Sequence, residues 1–341
     1  MTTTDTAHVE KRAGRERRHL DEGTIRNLGL VAVLVILVII GIITRPELYS
    51  DPTWVRNNFL TILQQASAIG VVTVGMTFVI IGGGIDLSVG AIIALAAVWS
   101  TTVATQSFGA AGMIFTALVV GIGVGLVNGV LIAYGRLVPF IATLAMLVAA
   151  RGLAAQISGK QTQISESSVI NSIATTKILG IPMLVIILGV VVAAGWVLLN
   201  RTTFGRRTVA VGGNPEAARL AGINVKRQTL LLYVLSGFCC GIAAIMLTSQ
   251  ATSAQAAMAN LYELDAIAAA IIGGTLLSGG RGTIIGALFG VLVFSTITNL
   301  FAINNLPTEV QNMVKGAIIV AAVLVQQFRF SSLTNLFKKK N

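Results

Sequence analysis

The clearest local chemistry in the sequence lies in the polar stretch 212–225, which carries the signals of a short capped helix. Asn214 can accept a backbone hydrogen bond as the N-cap residue, and Pro215 suits the first helical position. Glu216 favours the positive end of the helix dipole, and Gly222 suits the left-handed position beyond the last turn. The stretch therefore predicts a helix of about two turns.

A helix this short needs a partner surface, because two turns are not stable alone in water. Its apolar residues, Ala217, Leu220 and Ile223, stay uncovered unless another protein or the membrane face contacts them. We therefore expect the segment to dock on a soluble partner. The alternative is an ordinary capped helix within a loop.

Residues able to carry covalent or metal chemistry are scarce. His8 and His19 lie in the polar N-terminal tail, and Cys239 and Cys240 are adjacent, which suits neither a structural disulfide nor a metal site. The nearest approach to a GxxxxGK(S/T) phosphate loop has Ala154 in place of the first glycine. We expect a chain that is not an enzyme and holds no cofactor or metal.

The composition indicates the class of protein to which the predicted helix at 212–225 belongs. The chain has 341 residues, of which 55% are hydrophobic and 11% charged, with a mean hydropathy of +0.84. A soluble domain carries about 25% charged residues, so soluble, disordered and fibrous classes are excluded. We predict an all-α, polytopic helical membrane protein.

A transmembrane helix needs about 20 mostly apolar residues. The sequence predicts about ten such spans, at 27–44, 59–81, 87–105, 110–134, 138–158, 179–199, 228–249, 261–278, 282–303 and 313–328. The eighth is the weakest, because two acidic residues begin it and Gly273-Gly274 interrupts it. A re-entrant segment is the alternative there.

Charge predicts the orientation. Most of the 24 Lys and Arg residues lie in the N-terminal tail, the 200–227 loop and the C-terminal tail. Basic residues collect in cytoplasmic loops, so we expect both termini and that loop to be cytoplasmic. The predicted domains are a basic tail at 1–26, a transmembrane domain at 27–328 and a basic tail at 329–341.

Glycines recur every four residues at 121–129 and 282–290, and at Gly237 and Gly241. This spacing predicts close helix packing, or alternatively an interface that moves. The stretch 80–90 also resembles 271–280, which hints at an internal repeat.

Several long motifs in order carry a family resemblance. They are GGGIDLSVG at 82–90, VPFIATLAM at 138–146, FGRRTVAVGGNPEAARLAGINV at 204–225, YVLSG at 233–237, YELDAIAA at 262–269 and IGGTLLSGGRG at 272–282. From about residue 25 to 328, the chain resembles the permeases of bacterial ABC importers for monosaccharides, the ribose-type permease family.

The resemblance implies a multi-pass protein of the bacterial cytoplasmic membrane that moves a monosaccharide with energy from a separate cytoplasmic ABC ATPase. It implies an extracytoplasmic sugar-binding protein and a second permease chain, identical or paralogous, as partners beside the lipid, and no nucleic acid. ATP and Mg²⁺ belong to the ATPase. The segment that resembles the coupling helix supplies the expected contacts: Gly213, Asn214, Pro215, Glu216, Ala217, Arg219, Leu220 and Gly222.

A sugar is neutral and rich in hydroxyls, so amide and hydroxyl side chains inside spans are the candidates for lining its path. They are Gln64, Gln65, Ser67, Thr73, Thr77, Asn128, Thr143 and Asn299. Each has an alternative role in bonding its own helix or tying two helices together.

Three carboxylates need separate interpretation. Asp86 is expected to cap the third span, with a gate or an ATPase contact as the alternative. Glu263 and Asp265 begin the eighth span on the predicted outer side, where they either contact the binding protein or cap a helix.

The main rival hypothesis is a secondary sugar transporter driven by an ion gradient. Such proteins hold ionisable groups at mid-membrane depth, whereas the predicted spans here carry charges only near their ends, apart from Arg151. A membrane-embedded enzyme is disfavoured, because no nucleophile–base or metal constellation is recognisable.

Overall fold

The computed structural model describes residues 22–338, with side chains described for residue 23 and residues 26–324. The described chain is mostly helical. Its helices in order are α1 Glu22–Thr44, α2 Pro46–Tyr49, α3 Pro52–Ile81, α4 Val89–Ser100, α5 Val103–Gln106, α6 Gly109–Ala133, α7 Pro139–Ile157, α8 Ser168–Ile173, α9 Met183–Arg201, α10 Thr203–Gly213, α11 Pro215–Leu220, α12 Val225–Ala251, α13 Tyr262–Ile272, α14 Ile284–Ile303 and α15 Thr308–Lys338.

Seven of these helices are long and apolar enough to cross a membrane within the described residues: α1, α3, α6, α7, α9, α12 and α14. The prediction of a polytopic helical membrane protein is therefore confirmed. The predicted span at 138–158 lies within one residue of α7 at each end. The span predicted at 59–81 begins seven residues earlier, because Asp51 caps α3 and Pro52 occupies its first position.

The predicted tails extend beyond the described residues, which exclude 1–21 and 339–341. Within the described part, α1 begins at Glu22, inside the predicted N-terminal tail. The predicted tenth span, 313–328, lies inside α15, which begins at Thr308 directly after Pro307 and extends through most of the predicted C-terminal tail.

Two predicted spans are not continuous helices, which corrects the sequence prediction at 87–105 and 261–278. α4 has 12 residues and α13 has 11. At 1.5 Å per residue they are about 18 and 16 Å long, roughly half the hydrocarbon thickness of a bilayer. We call both half-helices, and non-helical chain precedes each of them, at 82–88 and at 255–261.

α4 begins halfway along its neighbours. The carboxylate of Asp86, three residues before α4, accepts a hydrogen bond from Ser236, which lies about 16 Å along α12. Beyond the other end of α4, Thr101 bonds to Gln163, whose strand pairs with residues just after α12. The half-helix α4 therefore covers only the later half of α12.

α13 covers the opposite half of its neighbour α14. Asp265, in the first turn of α13, pairs with Lys315, whose ammonium lies 5.3 Å from the ring centroid of Phe294 near the middle of α14. At the other end, Gly273 packs directly against Gly286 in the first turn of α14. The half-helix α13 therefore runs from the middle of α14 back to its start.

The start of α4 meets the start of α13. A side chain at Gly90, in the first turn of α4, would collide with the carbonyl of Ala259 and lie 2.5 Å from Oε2 of Glu263. Two half-helices thus begin at a common level inside the bundle and run in opposite directions. This arrangement matches the discontinuous helices found at transporter midplanes.

The internal similarity of the sequence reappears as identical turns. Gly84 N donates to Val79 O and Thr275 N to Ala270 O, while Gly83 and Gly274 have φ of +84° and +85°. A hydrogen bond to the carbonyl five residues earlier and a glycine in the left-handed conformation are typical of helix C-termini. The two turns end α3 and α13.

The glycine spacing in α6 serves packing, as predicted. Side chains at Gly121 and Gly125 would collide with the backbone of Gly237 and Tyr233 in α12, and Gly237 in turn packs on Gly121. Small residues let these two helix backbones approach closely. The contact between α6 and α12 is therefore a close backbone contact between two helices, and whether it moves stays a prediction.

The few strands are short and join loops. β1 Gln163–Ile164 pairs with β4 Ser253–Ala254, and β2 Lys177–Ile178 pairs with β3 Ile181–Pro182, both antiparallel. The second pair is a hairpin with Leu179 at its tip, and that side chain is 97% exposed.

Candidate functional site

The short helix α11 is built from the capping signals read in the sequence. Oδ1 of Asn214 accepts from the backbone N–H of Ala217 at 3.0 Å, and Pro215 is the first helical residue. Gly222 follows the C-cap with φ of +81°. The local prediction of a capped two-turn helix is confirmed.

α11 presents an uncovered surface. Leu220 is 80% exposed, whereas Ala218 is buried and is the single buried residue of this helix. Glu216 and Arg219 form an exposed ion pair at 3.0 Å, which contributes little to stability. An exposed leucine on a helix too short to be stable alone agrees with the expected docking surface, and the docking itself stays a prediction.

The neighbouring helix α10 holds α11 against the bundle. The hydroxyl of Thr202 caps α10 by accepting from Gly205 N. One turn later, Thr208 accepts a hydrogen bond from the side-chain amide of Gln228 at 2.8 Å. Because Gly205, Thr208 and Val211 form the buried face, α10 is fixed to the bundle along its length.

A buried polar network fixes the start of α4. Oδ1 of Asp86 accepts from both the backbone N–H and the hydroxyl of Ser88, and Oδ2 accepts from Ser236 at 3.0 Å. Asn128 of α6 donates to the Ser88 hydroxyl at 2.8 Å. Tyr233 donates to the carbonyl of Ile85 at 3.2 Å.

The network bears on two of the three interpretations of Asp86, the cap and the ATPase contact, and the gate stays a prediction. The side chain is fully buried, so a direct ATPase contact is excluded. The expectation that Asp86 is the cap of this helix is wrong in position, because Ser88 is the N-cap residue of α4. The Asp86 carboxylate accepts from the backbone N–H of Ser88 and also ties α4 to α12.

The predicted outer contact by Glu263 and Asp265 is contradicted for Glu263, which is buried beside the start of α4. Asp265 is mostly buried in the ion pair with Lys315, at 3.3 Å. The physical reason is that α13 begins inside the bundle. Its first turn, where acidic residues favour the helix dipole, is therefore not at the outer surface.

Arg151 anchors the loop that leads into α13. One guanidinium nitrogen donates to the carbonyls of Ala256 and Met258, at 2.7 and 2.8 Å. This residue lies about 18 Å along α7, so the anchored loop descends well into the bundle. The sequence marked Arg151 as a charge inside a span, and the structure shows which carbonyls it satisfies.

The expectation that charges lie near span ends needs correction. Asp86, Glu263 and Asp265 do lie at helix ends, but those ends belong to half-helices and sit halfway along neighbouring helices. With Arg151 and Lys315 they form a belt of ionisable residues inside the bundle. The signal missed in the sequence was the shortness of α4 and α13.

The eight predicted path residues do not come together. Six are buried within the chain: Ser67, Thr73, Thr77, Asn128, Thr143 and Asn299. The hydroxyls of Ser67, Thr73 and Thr77 bond to the carbonyl four residues earlier in α3. Gln64 is partly buried, and Gln65 is exposed.

The other buried path candidates tie elements together. Asn299 of α14 donates to Asn58 of α3 at 3.0 Å. Thr143 of α7 bonds to the carbonyls of Pro139 and, at 3.5 Å, of Ile85. In this chain these groups serve helix packing, which was the alternative role for each, and lining a path stays a prediction.

Comparison with known proteins identifies the family. The family model described as "Branched-chain amino acid transport system / permease component" matches residues 58–323. The ribose import permease of Bacillus subtilis is 40% identical over 315 residues, covering 92% of this chain and 96% of the relative.

Other sugar permeases match over similar lengths. The ribose import permease of Escherichia coli is 37% identical, covering 87% of this chain and 92% of the relative. The galactofuranose transporter permease of Escherichia coli is 35% identical, with coverages of 89% and 90%. No solved structure matches. The chain therefore belongs to the family of transport-system permease components, and within it to the ribose-type permeases of ABC importers.

Proposed function

We propose that this chain is the membrane permease of an ABC importer for a monosaccharide and that α11 is its contact with the ATPase. Its relatives are named for import of ribose, galactofuranose, L-arabinose and fructose. The structural observation that carries the proposal is α11 itself, a capped two-turn helix with Leu220 uncovered. ATP and Mg²⁺ are bound by the partner.

Ten crossings of the bacterial cytoplasmic membrane account for the fold. Seven are the long helices, and α15 is the last. The remaining two combine a half-helix with extended chain: 82–88 followed by α4, and 255–261 followed by α13. Because each composite still crosses the bilayer, the topology keeps both termini and α11 on the cytoplasmic side, in agreement with the distribution of Lys and Arg.

The path for the sugar is proposed to run between two permease chains, identical or paralogous, with a sugar-binding protein delivering the substrate from outside. Gln65 supports this arrangement, because it is the exposed member of the predicted path set. An amide facing lipid is unsatisfied and costly. We therefore place Gln65 on a surface that faces water or the second chain.

The decisive experiment removes the apolar contact of α11. The permease is reconstituted with its ATPase, and Leu220→Ser is compared with Leu179→Ser, in the β2–β3 hairpin, whose side chain is 97% exposed against 80% for Leu220. We expect Leu220→Ser to weaken ATPase binding at least tenfold and to abolish ATP-driven sugar uptake, while Leu179→Ser retains full ATPase binding. Unchanged ATPase binding by Leu220→Ser contradicts the proposal.

One observation favours the alternative of an ion-gradient-driven transporter. The ion pair Lys315–Asp265 is mostly buried inside the bundle, and intramembrane ionisable groups are typical of ion-coupled transporters. Proteoliposomes containing the permease without an ATPase, given a proton or sodium gradient, separate the two functions. Sugar uptake under these conditions would establish the alternative, and we expect none.

A further inference from the structure

Three segments far apart in the sequence meet through their backbones beside α11. They are the turn after α3 at 82–84, the end of α10 at Gly212 and Gly213, and the loop after α13 at Gly279 and Gly280. Gly280 N donates to the carbonyl of Ile81, the last residue of α3, at 2.8 Å. We call Gly83, Gly212, Gly279 and Gly280 the glycine junction.

Each member of the glycine junction is required to be glycine for a physical reason. A side chain at Gly212 would collide with the carbonyl of Ile81 and lie 2.7 Å from Gly280 N, so it would enter the Gly280–Ile81 hydrogen bond. Gly83, Gly279 and Gly280 have φ of +84°, +82° and +74°, where other residues are strained. The contact is backbone against backbone, with no flexible side chain between the segments.

The position of the glycine junction in the chain gives it a role. Gly212 is two residues from Asn214, the cap of α11. On the other side, the turn at Gly83 leads directly to Asp86 and the half-helix α4, while Gly279 and Gly280 lie between the half-helix α13 and α14. One contact therefore joins the segment before α11 to segments that adjoin both half-helices.

Space for a displacement exists beside the glycine junction. A cleft of about 280 Å³ is bounded by the turn at 82–84, by Pro215 of α11 and by Lys226 and Tyr233 of α12. Close-packed backbone contacts transmit movement rather than absorbing it, because packed interiors have low compressibility. The cleft is unfilled space next to Pro215, whereas the contact at Gly212 is closely packed.

We propose that the glycine junction is the mechanical link by which movement of α11 reaches the half-helices α4 and α13. The inference rests on the proposed function, in which α11 contacts the ATPase. It adds the residues that receive the movement, and it assigns Gly212 and Gly280 as positioning residues for transport.

The first test adds one methyl group at the link. Gly212→Ala is compared with Gly189→Ala, a helical glycine of α9 whose added methyl meets nothing within 4 Å. In the complete complex we expect Gly212→Ala to bind the ATPase normally and to keep ATP hydrolysis within twofold, but to transport at least tenfold less sugar per ATP. Gly189→Ala should match the unmodified protein. Unchanged coupling in Gly212→Ala would overturn the inference.

The second test uses the unmodified complex, so it also holds if Gly212→Ala fails to fold. Hydrogen exchange is measured with and without ATP and vanadate for peptides covering 80–86, 208–220 and 276–282. We expect all three to change together, and a change confined to 208–220 refutes the link. If the ATPase does not protect 208–220 at all, the proposed function fails instead, and the two failures are distinguishable.

Discussion

The buried carboxylate of Asp86 allows the sharpest prediction about this fold. Its three hydrogen bonds, from Ser88 N, the Ser88 hydroxyl and the Ser236 hydroxyl, join α4 to α12. Asp86→Ala removes all three acceptor contacts at a fully buried position. Asp86→Asn keeps one oxygen that accepts from Ser88, and its side-chain N–H can donate a hydrogen bond to the Ser236 hydroxyl.

The expected magnitudes follow from these contacts. A hydrogen bond to a charged group contributes about 1.5–3 kcal/mol, and a buried orphaned donor costs about 1–3 kcal/mol. A serine hydroxyl recovers part of the loss by rotating to donate to a carbonyl of its own helix. The backbone N–H of Ser88 cannot rotate and is left without an acceptor. We expect Asp86→Ala to lower the free energy of unfolding by about 3–5 kcal/mol and Asp86→Asn to lower it by about 1 kcal/mol.

The assay is reversible unfolding of the purified chain in mixed micelles, with sugar uptake measured on the same variants. A double-mutant cycle with Ser236→Ala isolates the contact between α4 and α12, and we expect a coupling of at least about 0.5 kcal/mol. If Asp86→Asn is as unstable as Asp86→Ala, the network reasoning is refuted. If Asp86→Asn is stable but does not transport, the charge itself is needed for transport, as the gate interpretation predicts.

Two further predictions concern packing and charge inside the bundle. Asp265→Asn or Lys315→Met removes one partner of the mostly buried pair and should destabilise the fold by about 3–5 kcal/mol. The double variant should recover part of this loss. Additive losses in unfolding experiments would show that the two residues do not interact. Gly125→Ala should lower the free energy of unfolding by about 1–3 kcal/mol, because its methyl group would collide with the carbonyl of Tyr233. The control is Gly123→Ala, whose methyl group meets nothing within 4 Å and should cause no loss. Equal losses in the two variants would contradict the α6–α12 contact.

The orientation is tested by labelling. Cysteines introduced at Pro215 and Leu179, both exposed, should react with a membrane-impermeant maleimide from the cytoplasmic and outer sides respectively, against a low background because Cys239 and Cys240 are buried. The reverse pattern would invert the topology.

The capping of α11 shows what local sequence could predict. Asn214, Pro215 and Gly222 act within a few residues of one another, so their types and order were enough to predict the helix and both of its ends. Spans such as α7 were predicted for the same reason, because an apolar run bounded by breakers specifies a helix without reference to distant residues.

By itself, the sequence determined the membrane-spanning class, the capped helix α11 and the family, since composition, local hydrogen bonding and motif order are properties of the chain alone. Only the tertiary structure decided that α4 and α13 are half-helices meeting inside the bundle, and hence that Asp86 and Glu263 are buried rather than at a surface. It also decided that Gly212 contacts Gly280, although the whole of α11, α12 and α13 lies between them in the sequence. The depth of a helix end and the partner of a glycine depend on where other helices lie, and that information is not local.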